Sequence, residues 1–139
     1  MKTLITLLLL TSFALSAQEA GDNTIIIKTK NSFDEAFRQT GQLFIASGLT
    51  IDNADRDFGT ITTREVRIGR RLDPLWEMKL TAIISGSDQA TITLTASARD
   101  GDGSWQTLEK RSNMHMMGKG WDQFEEIARK IDGVSITFK

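Results

Sequence analysis

Two neighbouring segments of the chain have an apolar residue at every second position. In WEMKLTAIIS, residues 76–85, every even-numbered position is apolar, and the same holds in ATITLTASAR, residues 90–99. Because successive side chains of a strand point to opposite faces, each segment predicts a strand with one buried and one wet face. The intervening SGSDQ, residues 85–89, predicts a hairpin loop. The chain must therefore build an antiparallel sheet that is covered on one side only.

Two other segments carry apolar residues at helical spacing. The first is NSFDEAFRQTGQLFIASG, residues 31–48, where Ser32 followed by Glu35 forms a capping box. The second is GKGWDQFEEIARKIDG, residues 118–133, with an apolar stripe that ends before a glycine. Each stripe predicts a helix with one apolar face, which a one-sided sheet can bury.

Shorter β-rich segments complete the order of elements. They are residues 24–29, 60–68, 105–111 and the closing VSITF, residues 134–138. The order β-α-β-β-β-β-α, followed by the closing strand, predicts an α+β fold. In this fold a curved antiparallel sheet of four to six strands carries both helices on its apolar face.

The N-terminus has the pattern of a secretory signal peptide over residues 1–17. Lys2 precedes an apolar run, and a small-residue end follows at Ala17. The run is shorter than the ~20 apolar residues that a membrane span needs, so we expect no stable span after cleavage. We expect a polar leader at 18–23, a single domain at 24–139, and a periplasmic or secreted location.

Cysteine and charge exclude several classes of function. The chain has no cysteine, which excludes disulfides, thiolate metal sites and cysteine nucleophiles. Cleavage of the signal peptide removes Lys2 and leaves 16 of the 17 basic residues against 18 acidic ones, which gives a formal charge near −2. A balanced, slightly acidic domain has no electrostatic attraction to nucleic acid, so we expect none as a partner.

The segment ASGLTIDNADRDFGTITT, residues 46–63, places a glycine at the helix end, an acid in a turn and a glycine opening a strand. Gly48, Asp55 and Gly59 hold these three positions. Together with the β-α-β4-α order, this arrangement resembles the TATA-box-binding-protein-like (TBP-like) fold of small exported bacterial domains, including those of the outer-membrane assembly lipoprotein BamC. The chain departs from BamC in lacking a lipidated cysteine and a tandem second domain. The resemblance implies the shape of a single-domain exported protein of unknown function.

DNA binding by the protein that gives the fold its name is not implied by this resemblance. That activity depends on two repeats and a basic concave face, and this chain has neither in its sequence.

The acids and amide of the same segment are Asp52, Asn53, Asp55 and Asp57. A calcium loop of the EF-hand type needs a glycine at the sixth position and a glutamate at the twelfth, but counting from Asp55 places Gly59 fifth and Val66 twelfth. Asp and Asn also favour turns, because their side chains bond nearby backbone N–H groups. We predict a turn between two strands.

The segment NMHMMGKG has the most unusual local composition. Met114, His115, Met116 and Met117 offer thioether and imidazole groups, which suit copper(I). Methionine also fills uneven gaps where a helix meets a sheet. In an extended strand His115 and Met117 would point away from the other two, so packing is the favoured interpretation and a copper site is the alternative.

Four arginines cluster in REVRIGRRLD: Arg64, Arg67, Arg70 and Arg71. Clustered guanidinium groups can hold an anionic envelope component or a protein partner. They also discourage edge-to-edge pairing of strands, and nearby acids offset part of their charge. Both interpretations of the cluster remain open.

No nucleophile elbow, phosphate loop or dinucleotide fingerprint occurs in the sequence, and we expect neither an enzyme nor a bound cofactor. The leading hypothesis is an exported envelope domain that binds a protein or another envelope component. Its contact surface would be the polar face of the sheet or the loop of residues 64–71. The alternative is a small-molecule or copper-binding protein that uses residues 114–117 or a pocket between helix and sheet.

Overall fold

A computed structural model describes residues 18–112 and 115–139. The described residues form one antiparallel sheet and two α-helices. In chain order the elements are β1 Thr24–Lys28, α1 Phe33–Ala46, β2 Ile51–Asp55, β3 Thr60–Thr63, β4 Val66–Arg67, β5 Trp76–Ser85, β6 Thr91–Asp100, β7 Gln106–Thr107, α2 Met116–Arg129 and β8 Ser135–Phe138. The predicted signal peptide, residues 1–17, lies outside the described residues.

The two alternating segments form the central hairpin of the sheet, as predicted. Strands β5 and β6 pair along their whole length, from Trp76 opposite Asp100 to Ser85 opposite Thr91. Their buried apolar side chains are Met78, Leu80, Ala82, Ile84, Ile92, Leu94, Ala96 and Ala98. Both helices pack on this side, so the predicted α+β class with two helices on one face of the sheet is confirmed.

The sheet is six strands across, within the predicted four to six, and two additional short strands bring the total to eight. Six strands follow the order β2-β3-β5-β6-β1-β8, and the two-residue strands β4 and β7 pair with the free edges of β5 and β6. The single strand predicted over residues 60–68 divides into β3 and β4. Between the β3–β5 and β4–β5 pairings, the three residues 63–65 lie opposite the two residues 79–80 of β5. The chain between β3 and β4 therefore has one extra residue, as in a β-bulge.

At this break in the pairing of β5, a threonine side chain takes the place of a backbone acceptor. The buried Thr63 accepts a hydrogen bond from the backbone N–H of Leu80 at 3.0 Å. An unpaired N–H at such a depth would be unfavourable, so a hydroxyl is well suited to this position.

The turn of the β2–β3 hairpin covers residues 56–59, whereas Asp52, Asn53 and Asp55, which were predicted to lie in the turn, belong to strand β2. One side-chain oxygen of Asp55 accepts from the backbone N–H groups of Asp57, at 3.0 Å, and Phe58, at 3.1 Å. Gly59 has a φ of +66°, the left-handed conformation that favours glycine. The carboxylate of Asp55 therefore serves the backbone of the turn.

The second helix begins unusually close to the chain before it. A Cβ at Gly118 would lie 2.1 Å from the backbone oxygen of Ser112, and one at Gly120 would lie 2.8 Å from Ile68. Further along, Trp121 and Phe124 meet edge to face, with centroids 5.5 Å apart. The glycines let α2 approach the loops, while its aromatic residues fill the core.

Within residues 18–112 and 115–139, no helix is both long enough and apolar enough to cross a membrane.

Candidate functional site

In the part of the chain that the structure describes, one face of the sheet carries no helix, and we call it the open face. The period-2 pattern of the strands turns hydroxyl-bearing, charged and a few apolar side chains toward it. Opposite to the buried set on β1, β3, β5 and β6 lie Thr24, Ile26, Lys28, Thr60, Thr62, Glu77, Lys79, Thr81, Ile83, Thr91, Thr93, Thr95, Ser97 and Arg99. All of them are half-buried or exposed. Most of this surface is therefore neutral and able to form hydrogen bonds.

A half-buried tryptophan marks one end of the open face. The ring of Trp105 lies with its centre 4.5 Å from the guanidinium carbon of Arg99 and 4.7 Å from the Nζ of Lys79. These distances are within the range of cation–π attraction. The antiparallel register of β6 and β7 explains this position. Ser97 pairs with Thr107, so Trp105, two residues before Thr107, lies opposite Arg99, two residues after Ser97.

Both cations beside this tryptophan are also paired with acids. Arg99 contacts Glu77 across the hairpin at 3.0 Å, and Lys79 contacts Glu65 at 3.1 Å. We call Trp105 and these four charged residues the Trp105 cluster. The two positive and two negative formal charges of the cluster cancel. The Trp105 ring therefore offers a large apolar surface beside charged side chains that are already in ion pairs.

The electrostatics of the cluster keep its outer acid ionised. A backbone hydrogen bond at Glu65 and a second one from Lys79 hold the pKa of the Glu65 carboxyl below its ordinary value. The Lys79 pair therefore persists through the mildly acidic range.

The structure separates the four arginines that the sequence grouped together. Arg64 approaches Asp52 of β2 at 3.7 Å. Arg67 folds inward and donates to the backbone oxygens of Arg70, Arg71 and Asp73. These bonds span 2.7–3.4 Å and fix the shape of the loop of residues 68–75. Arg67 therefore stabilises the conformation of the loop.

The tip of this loop is exposed and partly apolar. Arg70 and Arg71 are exposed and form no ion pair with any residue of the described chain. Leu72 beside them is 97% exposed. At the base of the loop Asp73 accepts from the backbone N–H of Arg70 at 2.6 Å and from Lys119 at 2.9 Å. These two bonds, the backbone one first, lower the pKa of Asp73.

This loop and the Trp105 cluster lie at the same end of the sheet. The backbone N–H of Gly101, in the turn after β6, donates to the backbone oxygen of Leu75 at 2.8 Å. The loop is also bonded to α2 on the helix side of the sheet, since Asp73 contacts Lys119 at 2.9 Å and the backbone N–H of Gly69 donates to Gln123 at 3.4 Å.

The methionine-rich segment is divided at the start of α2. His115 is the exposed N-cap, and its Nδ1 accepts from the backbone N–H of Met117 at 3.3 Å. The Met117 side chain is 3% exposed and belongs to the core, against which Met116 also packs. Met114 lies outside the described residues. The three described residues do not converge on one point, and the copper site stays a prediction.

Sequence reasoning placed Trp105 at the start of a strand but gave it no role. The strand exists only at Gln106–Thr107, and its pairing with β6 is what carries Trp105 onto the open face. The sequence did contain a signal. Trp105 and Thr107 are two residues apart, so in a strand both would point to the same face as the polar residues of β6.

The described elements define the class of this domain, an α+β fold in which an open antiparallel sheet is backed by two helices. Among solved structures, the chain is similar to one described as a TBP-like protein from Parabacteroides distasonis. The two share 11% identity with a TM-score of 0.43, over 82% of this chain and 95% of that one. Such a likeness concerns shape and transfers no function or residue role. No protein-family model matches the sequence, and no curated protein does.

Proposed function

We propose that this chain is an exported, non-enzymatic domain of the bacterial envelope that binds a protein partner through the open face. The observation that carries the proposal is Trp105, half-buried on a helix-free sheet face whose charged neighbours are already paired. Protein interfaces are enriched in tryptophan and arginine at their centres and poor in unpaired charge there. Export is supported by the signal-peptide pattern of residues 1–17.

The size of the open face fits this function. The two central strands have ten residues each and measure about 33 Å, and six strands span about 24 Å. Allowing for the shorter outer strands, the face offers on the order of 600 Å², against about 800 Å² per partner in a standard interface.

Photo-crosslinking in intact cells tests the proposal. A photoreactive residue at Thr81 or Thr95 of the open face should capture one defined protein. The same residue at Gln42 or Arg38, exposed positions on α1, is the matched control. Adducts confined to Thr81 and Thr95 would support the proposal. Equal adducts from both sets, or none from the open face, would contradict it.

A second candidate function is small-molecule binding between helix and sheet. A cavity of about 120 Å³ between α1 and the end of α2, on the other side of the sheet, favours it. It is independent of the open face.

A further inference from the structure

The predicted signal peptide ends directly before a glutamine that the folded domain holds in place. Cleavage after Ala17 would leave Gln18 as the first residue of the mature chain. Gln18 is half-buried, and its side-chain Oε1 accepts a hydrogen bond from the Nζ of Lys110. The mature protein would therefore begin with an amide side chain that already contacts a cation.

A tight turn brings Gln18 back to Lys110. The backbone N–H of Asp22 donates to the backbone oxygen of Glu19 at 3.2 Å, and the N–H of Glu19 donates to Oδ2 of Asp22 at 2.8 Å. Gly21, the third residue of this turn, has a φ of +94°, a conformation that favours glycine at this position. The turn therefore reverses the chain directly after Gln18.

Backbone hydrogen bonds dock this turn against the domain. The N–H of Gly21 donates to the backbone oxygen of Lys110 at 3.0 Å, and the N–H of Lys110 donates to the backbone oxygen of Asp22 at 2.8 Å. Lys110 is half-buried, so its side chain has less freedom than that of an exposed lysine. The contact between Lys110 and Gln18 thus belongs to the folded state, and an unfolded chain would lack it.

An N-terminal glutamine can undergo a reaction that an internal glutamine cannot. Its free α-amine can attack the side-chain Cδ, because the two atoms close a five-membered ring. The new N–Cδ bond forms, the Cδ–Nε2 bond breaks, and Nε2 leaves as ammonia with a proton from the amine. The product is the lactam pyroglutamate, and the reaction needs no oxidant, reductant or other co-reactant.

Lys110 is placed to promote this reaction. Attack at Cδ drives negative charge onto Oε1 of Gln18, the atom to which the Lys110 ammonium group donates. A cation in this position stabilises the tetrahedral intermediate as the donors of an oxyanion hole do. The same ammonium group can hold the product, because Oε1 becomes the oxygen of the lactam.

We propose that Gln18 of the exported protein is converted to pyroglutamate, with Lys110 as the group that activates its amide. The inference rests on the export that is part of the proposed function, but it does not depend on the open face. The product has no α-amine, so the N-terminus of the mature protein carries no charge and resists aminopeptidases.

Mass spectrometry of the exported protein tests the modification. The full-length chain is exported by a bacterial host that lacks a glutaminyl cyclase, and the N-terminal peptide is followed while the purified protein is incubated in buffer. The peptide should begin at Gln18 and become lighter by one ammonia. In Lys110→Met the rate should be at least about tenfold lower, since a hydrogen bond from a charged group is lost. Lys30→Met, at an exposed lysine before α1, is the matched control and should cyclise as fast as the wild type.

Unfolding in urea separates the effect of Lys110 from the inherent reactivity of the glutamine. The rate of the wild type should fall on unfolding to that of Lys110→Met, and this comparison holds even if the variant fails to fold. The proposal is overturned if the peptide begins at Gln18 and keeps its ammonia, or if the wild type cyclises equally fast folded and unfolded.

The same spectra distinguish failure of cyclisation from failure of export. A chain that keeps residues 1–17, or that begins at another residue, overturns the proposal together with the cleavage on which it rests. A chain that begins at an uncyclised Gln18 overturns the modification alone. Neither result affects crosslinking from Thr81, which tests the open face separately.

Discussion

The guanidinium carbon of Arg99 lies 4.5 Å from the centre of the Trp105 ring, while the same side chain pairs with Glu77 at 3.0 Å. Arg99 and Glu77 face each other across the central hairpin, and Trp105 enters from the short strand beside it. The arrangement holds an aromatic ring on a helix-free face without leaving a bare charge next to it. This relationship underlies the function that we propose.

Replacement of Trp105 by alanine should separate binding from stability. Two cation–π contacts at a half-exposed site are worth about 0.5–1 kcal/mol each, so the free energy of unfolding should fall by about 1–2 kcal/mol. Partner capture from a photoreactive Thr81 should fall at least about tenfold, as expected when a tryptophan that contributes strongly to an interface is removed. Urea unfolding and crosslink yield measure the two effects.

The matched control is Ile45→Ala, because Ile45 is a large exposed side chain on α1. Its crosslink yield should equal that of the wild type. A Trp105→Ala protein that crosslinks normally would remove the tryptophan from the interface.

Two glycine substitutions should have opposite effects on stability. A Cβ at Gly41 would lie 3.8 Å from Ile61, an ordinary contact inside a helix, so Gly41→Ala should stabilise by about 0.5–1 kcal/mol. A Cβ at Gly59 would lie 2.3 Å from the backbone oxygen of Ile84, at a φ of +66°, so Gly59→Ala should destabilise by at least about 2 kcal/mol. Chemical denaturation of both variants checks the signs.

Asp73 should make stability depend on acid pH. Its folded-state pKa is below the ordinary value near 3.8, chiefly because of the Arg70 backbone N–H and then Lys119. Its contribution is therefore present above the ordinary pKa and is lost as pH falls through the lower, folded-state value. The difference in unfolding free energy between wild type and Asp73→Asn should be constant from about pH 5 to 8 and shrink below about pH 4.

Lys119→Met offers a graded comparison for the same effect. Because the backbone bond is the larger cause, this variant should retain most of the acid dependence shown by the wild type. A difference between wild type and Asp73→Asn that grew as pH fell would contradict the assigned sign.

Arg67 should protect the loop of residues 68–75 from proteolysis. Its three hydrogen bonds to backbone oxygens hold the segment that contains the exposed Arg70 and Arg71. Arg67→Gln should therefore raise the rate of trypsin cleavage after these two residues about tenfold, which corresponds to about 1.4 kcal/mol of easier local opening. Mass spectrometry of timed digests identifies the cleavage site, and Arg64→Gln, outside the loop, should leave the rate unchanged.

The central sheet could be predicted because its information is local. An apolar residue at every second position of residues 76–85 and 90–99 fixes which side of each strand is buried, and the pairing of the two strands follows from their short connection. The turn at Asp55 and Gly59 was predictable for the same reason, since its hydrogen bonds join residues close in sequence.

The break at residues 63–65 and the position of Trp105 could not be predicted in this way. The break depends on Leu80, which is distant in sequence, and Trp105 depends on a two-residue pairing between β6 and β7. The need for glycine at positions 118 and 120 likewise depends on the loops against which α2 packs. Such features arise from tertiary contacts that a pattern of single residues does not encode.

The most direct measurement of the central claim is oxidative footprinting of Trp105 in intact cells and in the purified protein. Phe58, which is 77% exposed in the β2–β3 turn, is the internal reference. We predict that Trp105 is oxidised several-fold more slowly in cells than in the purified protein, while the rate at Phe58 is the same in both. Equal oxidation of Trp105 in cells and in isolation would contradict the open face as a partner-binding surface.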